Sequence, residues 1–242
     1  MGDAIRLDLL DLRKADKMEF EEAVHHAARC YIKAGIPVLP IEPNNKKLPS
    51  GGGINYMSAS IKPHIIDKWF GPGGKYRGHN VGLACGTKHG ILALDIDTKP
   101  VGGTTGLKEL SRITEKEGPL PPGPRQKTPS GGYHYIYEWQ ENAASSSSKV
   151  ANGIDTRGGT GDHSSGHVVA YPSQIDGKSY LWEEGGEVPP MPEWLVASLG
   201  QPWREKAKED RPKQEVPIHQ VNRMLTIIDP DSLSYEEWVK VG

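Results

Sequence analysis

The chain has 242 residues, of which 36% are hydrophobic and 25% are charged, values typical of a globular protein with one or two domains. Its 29 Lys and Arg residues nearly balance 31 Asp and Glu residues, so any contact with nucleic acid must come from local patches and not from a global positive charge. Two cysteines, Cys30 and Cys85, are too few for a disulfide framework or a cysteine-rich zinc site.

The first third of the chain predicts alternating helices and strands. Apolar residues recur with helical spacing over 20–32, and Gly35 follows at a typical helix end. The other predicted elements are a short helix within 6–14, a strand at 36–41 whose prolines favour a sheet edge, a helix at 61–70 and a strand at 80–85. The loop at 42–60 is long enough to suggest a function, and its Lys46 and Lys47 are either solvated charges or lysines that face a phosphate.

The next predicted strand ends in two acidic residues. Residues 91–94 form a short apolar run, typical of a buried strand, which leads into Asp95-Ile96-Asp97. Because side chains alternate between the two faces of a strand, Asp95 and Asp97 should share one face. Such a pair is either a solvated polar turn or a site for Mg²⁺ or Mn²⁺, which prefer oxygen ligands. This strand and the one at 80–85 are predicted to form a β-hairpin.

The second half of the chain adds a further set of elements. In chain order they are a helix at 104–117, a strand–turn–strand unit at 125–137, a flexible serine-rich loop at 143–149, strands at 167–170 and 179–182, and a closing helix at 192–199. Within the strand–turn–strand unit, His134 and Ile136 share one face and the three neighbouring tyrosines share the other. The charged, proline-bearing stretch at 201–216 is typical of a linker, and two helical pieces follow it.

A third acid and several phosphate-binding groups also lie in this half. Asp155 is flanked by glycines that let the backbone approach a ligand, and three carboxylates from separate elements can hold two divalent ions for phosphoryl transfer. His134 either donates a hydrogen bond to a phosphate oxygen or is an ordinary half-buried histidine. Ser130 and the amides of Gly131 and Gly132 form either an anion-binding nest or an ordinary hairpin turn.

Basic residues flank these groups. Lys127 and Arg157 can neutralise a triphosphate, or they are surface charges. The order of serine, histidine, aspartate and cysteine residues predicts no nucleophilic site. His163 and His167 suggest zinc only weakly, because no third ligand is evident.

Five motifs in chain order resemble one known family. They are Lys47-Leu48-Pro49, Asn80–Leu83 leading into Leu94–Asp97, Thr128–His134, Gly153–Gly158, and Val168–Ser173. Together they resemble the bifunctional DNA primase/polymerase domain of the archaeo-eukaryotic primase superfamily, found in replication proteins of plasmids, phages and integrated mobile elements. The stretch at 224–242 resembles the start of the helical primase C-terminal domain, which commonly precedes a helicase.

The resemblance implies a fold, an activity and a set of site residues. The implied fold is α/β, with an N-terminal α/β unit packed on a mixed sheet like that of an RNA-recognition motif. The implied activity is template-directed nucleotidyl transfer, as DNA primase and DNA polymerase, with Mg²⁺ or Mn²⁺ at a two-metal site and no zinc. The implied catalytic, metal-binding residues are Asp95, Asp97 and Asp155. The implied nucleotide-binding residues are Ser130, Gly131, Gly132, His134, Arg157, Lys127 and Lys47.

The resemblance also implies domains and partners. The expected domains are a catalytic domain at 1–200, a linker at 201–216, and the start of a truncated helical domain at 217–242. The expected partners are a single-stranded DNA template, a primer strand and ribo- or deoxynucleoside triphosphates, with a helicase domain in a longer protein. The sequence has no apolar stretch of about 18 residues and no signal-peptide core, so we expect no membrane contact and a cytoplasmic location. The loop at 160–165 is longer than usual in the family, and either reaches template or nucleotide or is a tolerated insertion.

Two other classes of function remain compatible with these residues. One is a metal-dependent nuclease or phosphoesterase that uses the same three acids. The other is a catalytically silent module for single-stranded nucleic acid, with Tyr133, Tyr135 and Tyr137 as a stacking platform. The three acids together with His134 argue against the silent module.

Overall fold

The computed structural model describes residues 4–51, 53–86, 89–140, 143–159 and 166–199, which form a mixed α/β protein. The helices are α1 (Leu9–Leu12), α2 (Phe20–Lys33), α3 (Pro63–Phe70), α4 (Gly106–Glu117) and α5 (Glu193–Leu199). The strands are β1 (Arg6–Leu7), β2 (Val38–Ile41), β3 (Asn80–Cys85), β4 (Ile91–Ile96), β5 (Arg125–Lys127), β6 (Tyr133–Glu138), β7 (Ser146–Ala151), β8 (Ile154–Arg157), β9 (Gly166–Ala170), β10 (Gln174–Ile175), β11 (Lys178–Ser179), β12 (Leu181–Glu184) and β13 (Gly186–Glu187). The loop at 160–165, the predicted linker at 201–216 and the predicted helical segment at 217–242 lie outside the described residues.

Two sheets contain most of the strands in the described part of the chain. The larger sheet has the order β12-β5-β6-β4-β8-β7, and the smaller sheet has the order β2-β3-β9. Every strand pair described in them is antiparallel, so the expectation of mixed strand directions is wrong for these residues. Strands such as β5 and β6 follow each other through a tight turn, a connection that only antiparallel neighbours permit. Two short pairs, β1–β13 and β10–β11, complete the described strands.

The central strand β4 is buried on both faces because its alternate residues enter two different cores. Ile91 and Ala93 pack into a first core, which also contains residues of α2, α3 and the smaller sheet. Leu92 and Leu94 pack into a second core on the opposite face, together with residues of α4 and α5. This arrangement explains the continuous apolar run, and it places Asp95 on the face that looks toward the first core.

Several predicted elements are confirmed, with boundaries that shift by one or two residues. Helix α2 ends at Lys33, and Gly35 follows it with a φ of 82°, the left-handed conformation that glycine adopts without strain. Strand β2 occupies an edge of the smaller sheet, as its prolines predict. Helix α4 begins at Gly106, and the Thr105 side chain caps it by accepting from the amide of Lys108.

Two predictions about the strands are wrong. The strands β3 and β4 do not form a hairpin, because β2 and β9 occupy both edges of β3 while β6 and β8 occupy both edges of β4. The stretch at 143–149 is not a loop throughout, since β7 begins at Ser146 and pairs with β8. Because β7 is rich in serine, it has no hydrophobic alternation that would predict a strand. The Ser146 and Thr156 hydroxyls hydrogen-bond across the pair at 2.8 Å.

The N-terminal stretch is also more varied than predicted. In place of one helix within 6–14, it contains the short strand β1, the single-turn helix α1 and a 3₁₀ turn over Arg13–Lys17. Throughout the described ranges, every helix is too short or too polar to cross a lipid bilayer.

Candidate active site

Four polar side chains form a row across four neighbouring strands of the larger sheet. Asp95 on β4 lies directly opposite Asp155 on β8 on one side and His134 on β6 on the other. His134 in turn lies opposite Gln126 on β5. Because directly opposed residues of antiparallel strands point to the same face, the row Gln126–His134–Asp95–Asp155 faces the first core. The sheet register therefore brings together residues that lie far apart in the sequence.

Asp97 lies beside this row, at the first position after β4. One carboxylate oxygen from each of Asp95, Asp97 and Asp155 lies within 4.8 Å of the others, so the prediction that Asp95 and Asp97 share one face is confirmed. The Asp97 amide donates to the carbonyl of Gly153 at 2.8 Å, and its carbonyl accepts from the amide of Gly106 at 2.9 Å. A Cβ atom at Gly106 would overlap the Gly153 carbonyl. Glycine at the start of α4 therefore allows the helix to hold the Asp97 backbone in place.

The surroundings shift the pKa values of two acids in opposite directions. Burial disfavours the ionised form of Asp95, but the hydrogen bond from His134 and the positive charges of Arg157 and Lys46 outweigh it, and the pKa of Asp95 is lowered. Burial and the negative charges of Asp95 and Asp155 raise the pKa of Asp97. The negative charge that raises the pKa of Asp97 is the kind of charge that a divalent cation would neutralise.

Arg157 and Ser148 hold the carboxylate of Asp155. The Arg157 guanidinium lies 2.9 Å from an Asp155 oxygen and 3.4 Å from an Asp95 oxygen, so one cation contacts both acids. The amide of Ser148 donates to the other Asp155 oxygen at 2.8 Å. Ser148 adopts a φ of 51°, a left-handed conformation that serine rarely adopts, and this bend in β7 turns its amide toward the acid.

A cavity of about 300 Å³ lies over Asp95 and Asp97, between the larger sheet and β9 of the smaller sheet. Its lining residues are Lys46, Tyr56, Asp95, Asp97, His134, Ser145, Arg157, Gly166, His167, Val168, Val169 and Tyr180. Lys46 and Tyr56 of the loop at 42–60 form part of the wall. The ring of His167 on β9 donates from Nε2 to the Lys46 carbonyl at 2.7 Å. Burial lowers the pKa of His167, and it outweighs the hydrogen bond to the Lys46 carbonyl, which acts in the opposite direction. The same ring packs against Tyr56, with centroids 5.7 Å apart.

The turn that carries Ser130, Gly131 and Gly132 adjoins the acids through Thr98. The amide of Gly131 donates to the Thr128 carbonyl at 2.9 Å, so it is already used within the turn. Gly131 has a φ of 88°, a left-handed conformation that favours glycine at this position. The Thr98 hydroxyl donates to the Ser130 carbonyl at 2.9 Å, which ties the turn to the residue after Asp97. Gly132 closes the turn through its carbonyl, which accepts from the Thr128 amide.

Two of the predicted basic residues lie away from the cavity wall. Lys47 is exposed and is not among the lining residues, whereas its neighbour Lys46 is. Lys127 alternates with Gln126 along β5, so it points to the opposite face. It borders a separate cavity beside Arg13 and Asp16.

Four residues of the site were not predicted from the sequence or were given no role at the acids. Lys46 was not separated from Lys47, and Tyr180, Gln126 and His167 received no role at the acids. One signal was available for Gln126. A tight turn centred on Ser130 pairs residues at equal distances from it, which places Gln126 opposite His134.

A second cluster of possible metal ligands lies on the surface of α2. Asp11, His26 and Cys30 each offer one ligand atom within 4.8 Å of the others. Lys14 contacts the Asp11 carboxylate at 2.8 Å, and burial raises the pKa of the Cys30 thiol to about 11. A neighbouring cation and a protonated thiol both disfavour metal binding.

A family model matches the part of the chain that contains the residues of the candidate site. The family model for the bifunctional DNA primase/polymerase, N-terminal domain matches residues 28–194. This range includes all the residues that line the cavity. The chain belongs to this family, and membership indicates DNA primase or polymerase activity, with DNA and nucleotides as substrates and a dependence on metal. A comparison with curated proteins gives no significant match.

Proposed function

We propose that the chain catalyses template-directed nucleotidyl transfer, as a DNA primase and DNA polymerase of a plasmid, phage or integrated mobile element. The observation that carries this proposal is the convergence of the carboxylates of Asp95, Asp97 and Asp155. Two of these acids, Asp95 and Asp97, line one cavity together with His134 and Arg157, within the matched range. A cluster of acids next to groups that bind phosphate suits phosphoryl transfer better than binding alone.

Asp95, Asp97 and Asp155 would hold two divalent ions, Mg²⁺ or Mn²⁺. Three carboxylates supply only oxygen ligands, and their oxygen atoms already converge within 4.8 Å, so the donor set fits these hard cations. Burial and the negative charges of Asp95 and Asp155 raise the pKa of Asp97, and a bound cation would relieve the repulsion between these charges. When bound, the ions would activate the 3′-hydroxyl of the primer and neutralise charge on the leaving pyrophosphate.

His134, Arg157 and Lys46 would bind the triphosphate. The Nε2 of His134 lies 3.4 Å from Asp95, longer than a strong hydrogen bond, so it can donate to a closer phosphate oxygen in the cavity. Arg157 offers a planar fork that matches phosphate oxygens, and Lys46 supplies a point charge from the cavity wall.

The remaining predicted nucleotide contacts belong to the same proposal, although their residues do not line the cavity. Ser130, Gly131 and Gly132 border the acids through Thr98 and would shape the edge of the nucleotide site. Lys47 and Lys127 would contribute only at longer range, because they do not line the cavity.

The wider architecture is proposed in the same way. The larger antiparallel sheet with α4 and α5 on one face supports a core like that of an RNA-recognition motif, and the smaller sheet with α2 and α3 supports the N-terminal unit of the primase superfamily. The catalytic domain would span 1–200, with a linker at 201–216 and the start of a helical primase domain at 217–242. A longer protein would add a helicase, and the helical domain would assist primer initiation.

Primer extension on a single-stranded DNA template tests the proposed activity. The assay uses a labelled primer, Mg²⁺ or Mn²⁺, and ribo- or deoxynucleoside triphosphates, with the variant Asp95→Asn/Asp97→Asn as control. We expect metal-dependent extension that the double variant lacks, and product without a primer would add primase activity. Shortened strands that form without nucleotides would favour a nuclease instead. Template binding without turnover under either metal would favour a silent binding module.

A further inference from the structure

A buried glutamine lies directly behind the histidine of the candidate site. Gln126 on β5 has no exposed surface. Its side-chain oxygen accepts from the amide of Tyr171 at 3.2 Å, and its side-chain nitrogen donates to the carbonyl of Val169 at 2.8 Å. A backbone amide can only donate and a carbonyl can only accept, so these two bonds fix which end of the Gln126 amide is nitrogen.

The orientation of Gln126 determines the tautomer of His134. The Gln126 nitrogen also lies 2.8 Å from Nδ1 of His134, and an amide nitrogen can only donate, so its second N–H serves this contact. Nδ1 must therefore accept, which leaves it without a proton. The proton of the neutral ring then resides on Nε2, the nitrogen that faces Asp95 and the cavity.

We propose that Gln126 is a positioning residue that holds His134 as an Nε2–H donor, directed at a phosphate oxygen of the bound nucleotide. The identity of the acceptor rests on the proposed nucleotidyl transfer, whereas the tautomer does not. Gln126 belongs to the larger sheet and its two backbone partners lie at the end of the smaller sheet. One amide thus links the two sheets that enclose the cavity and orients the histidine between them.

Glutamine meets requirements here that its close relatives do not. Glutamate has the same length but no N–H, so it cannot donate to Val169 or to Nδ1 of His134. Asparagine has the same groups on a side chain one methylene shorter. Methionine fills a similar volume but leaves the ring nitrogen and both backbone groups without these bonds.

Nitrogen-15 NMR of histidine-labelled protein tests the tautomer without any nucleotide. At a pH well above the ordinary histidine pKa, we expect His134 to show an unprotonated Nδ1 and a protonated Nε2, with the signals assigned by their loss in His134→Gln. A proton on Nδ1 in the wild-type protein, in either the other neutral tautomer or the doubly protonated ring, would overturn the proposal. This reading needs no folded variant of Gln126.

Variants then test the link to nucleotide binding. We expect Gln126→Met to mix the two His134 tautomers and to raise KM for nucleotides by about tenfold. Ser173→Ala is the matched control. It removes a buried hydroxyl that accepts from the Val81 amide and donates to the Val81 carbonyl, and that does not touch His134. An unchanged KM in Gln126→Met alongside mixed tautomers would overturn the positioning role. A protein with the expected tautomer but no nucleotide incorporation would instead contradict the proposed function.

Discussion

Asp95 and Asp155 lie directly opposite each other on neighbouring antiparallel strands, and the guanidinium of Arg157 contacts both. Like charges in such a pair destabilise a sheet unless a positive group lies between them. The guanidinium of Arg157 therefore offsets the negative charges of Asp95 and Asp155. This ion pair lies near the end of β4, and Asp97 directly follows that strand. Stability and function should oppose each other at these acids.

The first prediction concerns this opposition at Asp97. Because burial and its acidic neighbours raise the pKa of Asp97, the Asp97→Asn variant removes a repulsive charge. We expect its melting temperature to exceed that of the wild-type protein when a chelator is present, while nucleotide incorporation falls by about a hundredfold or more. A variant that melts lower in chelator and retains its activity would contradict this account of the acids.

Arg157 gives a second prediction. Arg157→Gln leaves Asp95 and Asp155 without their shared cation, so we expect a lower melting temperature in chelator. Loss of a charged phosphate contact should also raise KM for nucleotides by about tenfold. Arg112→Gln is the control, because the exposed Arg112 side chain pairs with Glu109 on α4 and its loss should change neither quantity. Equal effects of the two substitutions would indicate that Arg157 is an ordinary surface charge.

Adjacent lysines provide a third prediction. Lys46 lines the cavity and Lys47 does not. We expect Lys46→Ala to weaken nucleotide binding by about tenfold and Lys47→Ala to leave it nearly unchanged. Nucleotide titration of both variants measures the difference. If Lys47→Ala has the larger effect, the family motif over Lys47–Pro49 is the better guide to this loop than the structure.

The fourth prediction concerns pH and the contact between α2 and α3. Hydrogen bonds from Arg29 and His25 lower the pKa of Asp67 below its ordinary value of 3.8. A carboxyl whose folded pKa is lowered stabilises the fold above its unfolded pKa, and this contribution is lost as pH falls through the folded pKa. Asp67→Asn should therefore lower stability at neutral pH, by about 1 kcal/mol or less because the site is partly exposed.

Thermal unfolding at several pH values measures this effect. The difference between wild-type protein and Asp67→Asn should shrink as pH falls from 3.8 through the lower folded pKa of Asp67, below which both side chains are neutral. Arg29→Gln in both backgrounds completes a double-mutant cycle that isolates the ion pair. A difference that stays constant down to acidic pH would assign the effect to packing instead of charge.

Much of the candidate site was predictable because it depends on local geometry. Alternation along β4 alone placed Asp95 and Asp97 on one face, and the tight turn after β5 alone placed His134 on β6. Both inferences require only that a strand forms, and the apolar run and the turn residues indicate that it does.

The parts that failed depend on contacts between distant segments. The strands β3 and β4 follow each other closely, yet they belong to different sheets because each finds partners elsewhere on both edges. Lys46 and Lys47 are equivalent in sequence, and the bond from His167 to the Lys46 carbonyl, which spans 121 positions, fixes how this part of the loop meets the cavity. No periodicity within a window of the sequence reports such a contact.

The most direct test of nucleotidyl transfer compares pyrophosphate release with nucleotide incorporation in the same reaction. The wild-type protein, a primed single-stranded template, a divalent metal and nucleoside triphosphates should yield equal amounts of pyrophosphate and incorporated nucleotide. Both products should disappear together in Asp95→Asn. Strand shortening without pyrophosphate, or phosphate release without incorporation, would contradict the assignment of these three acids to template-directed synthesis.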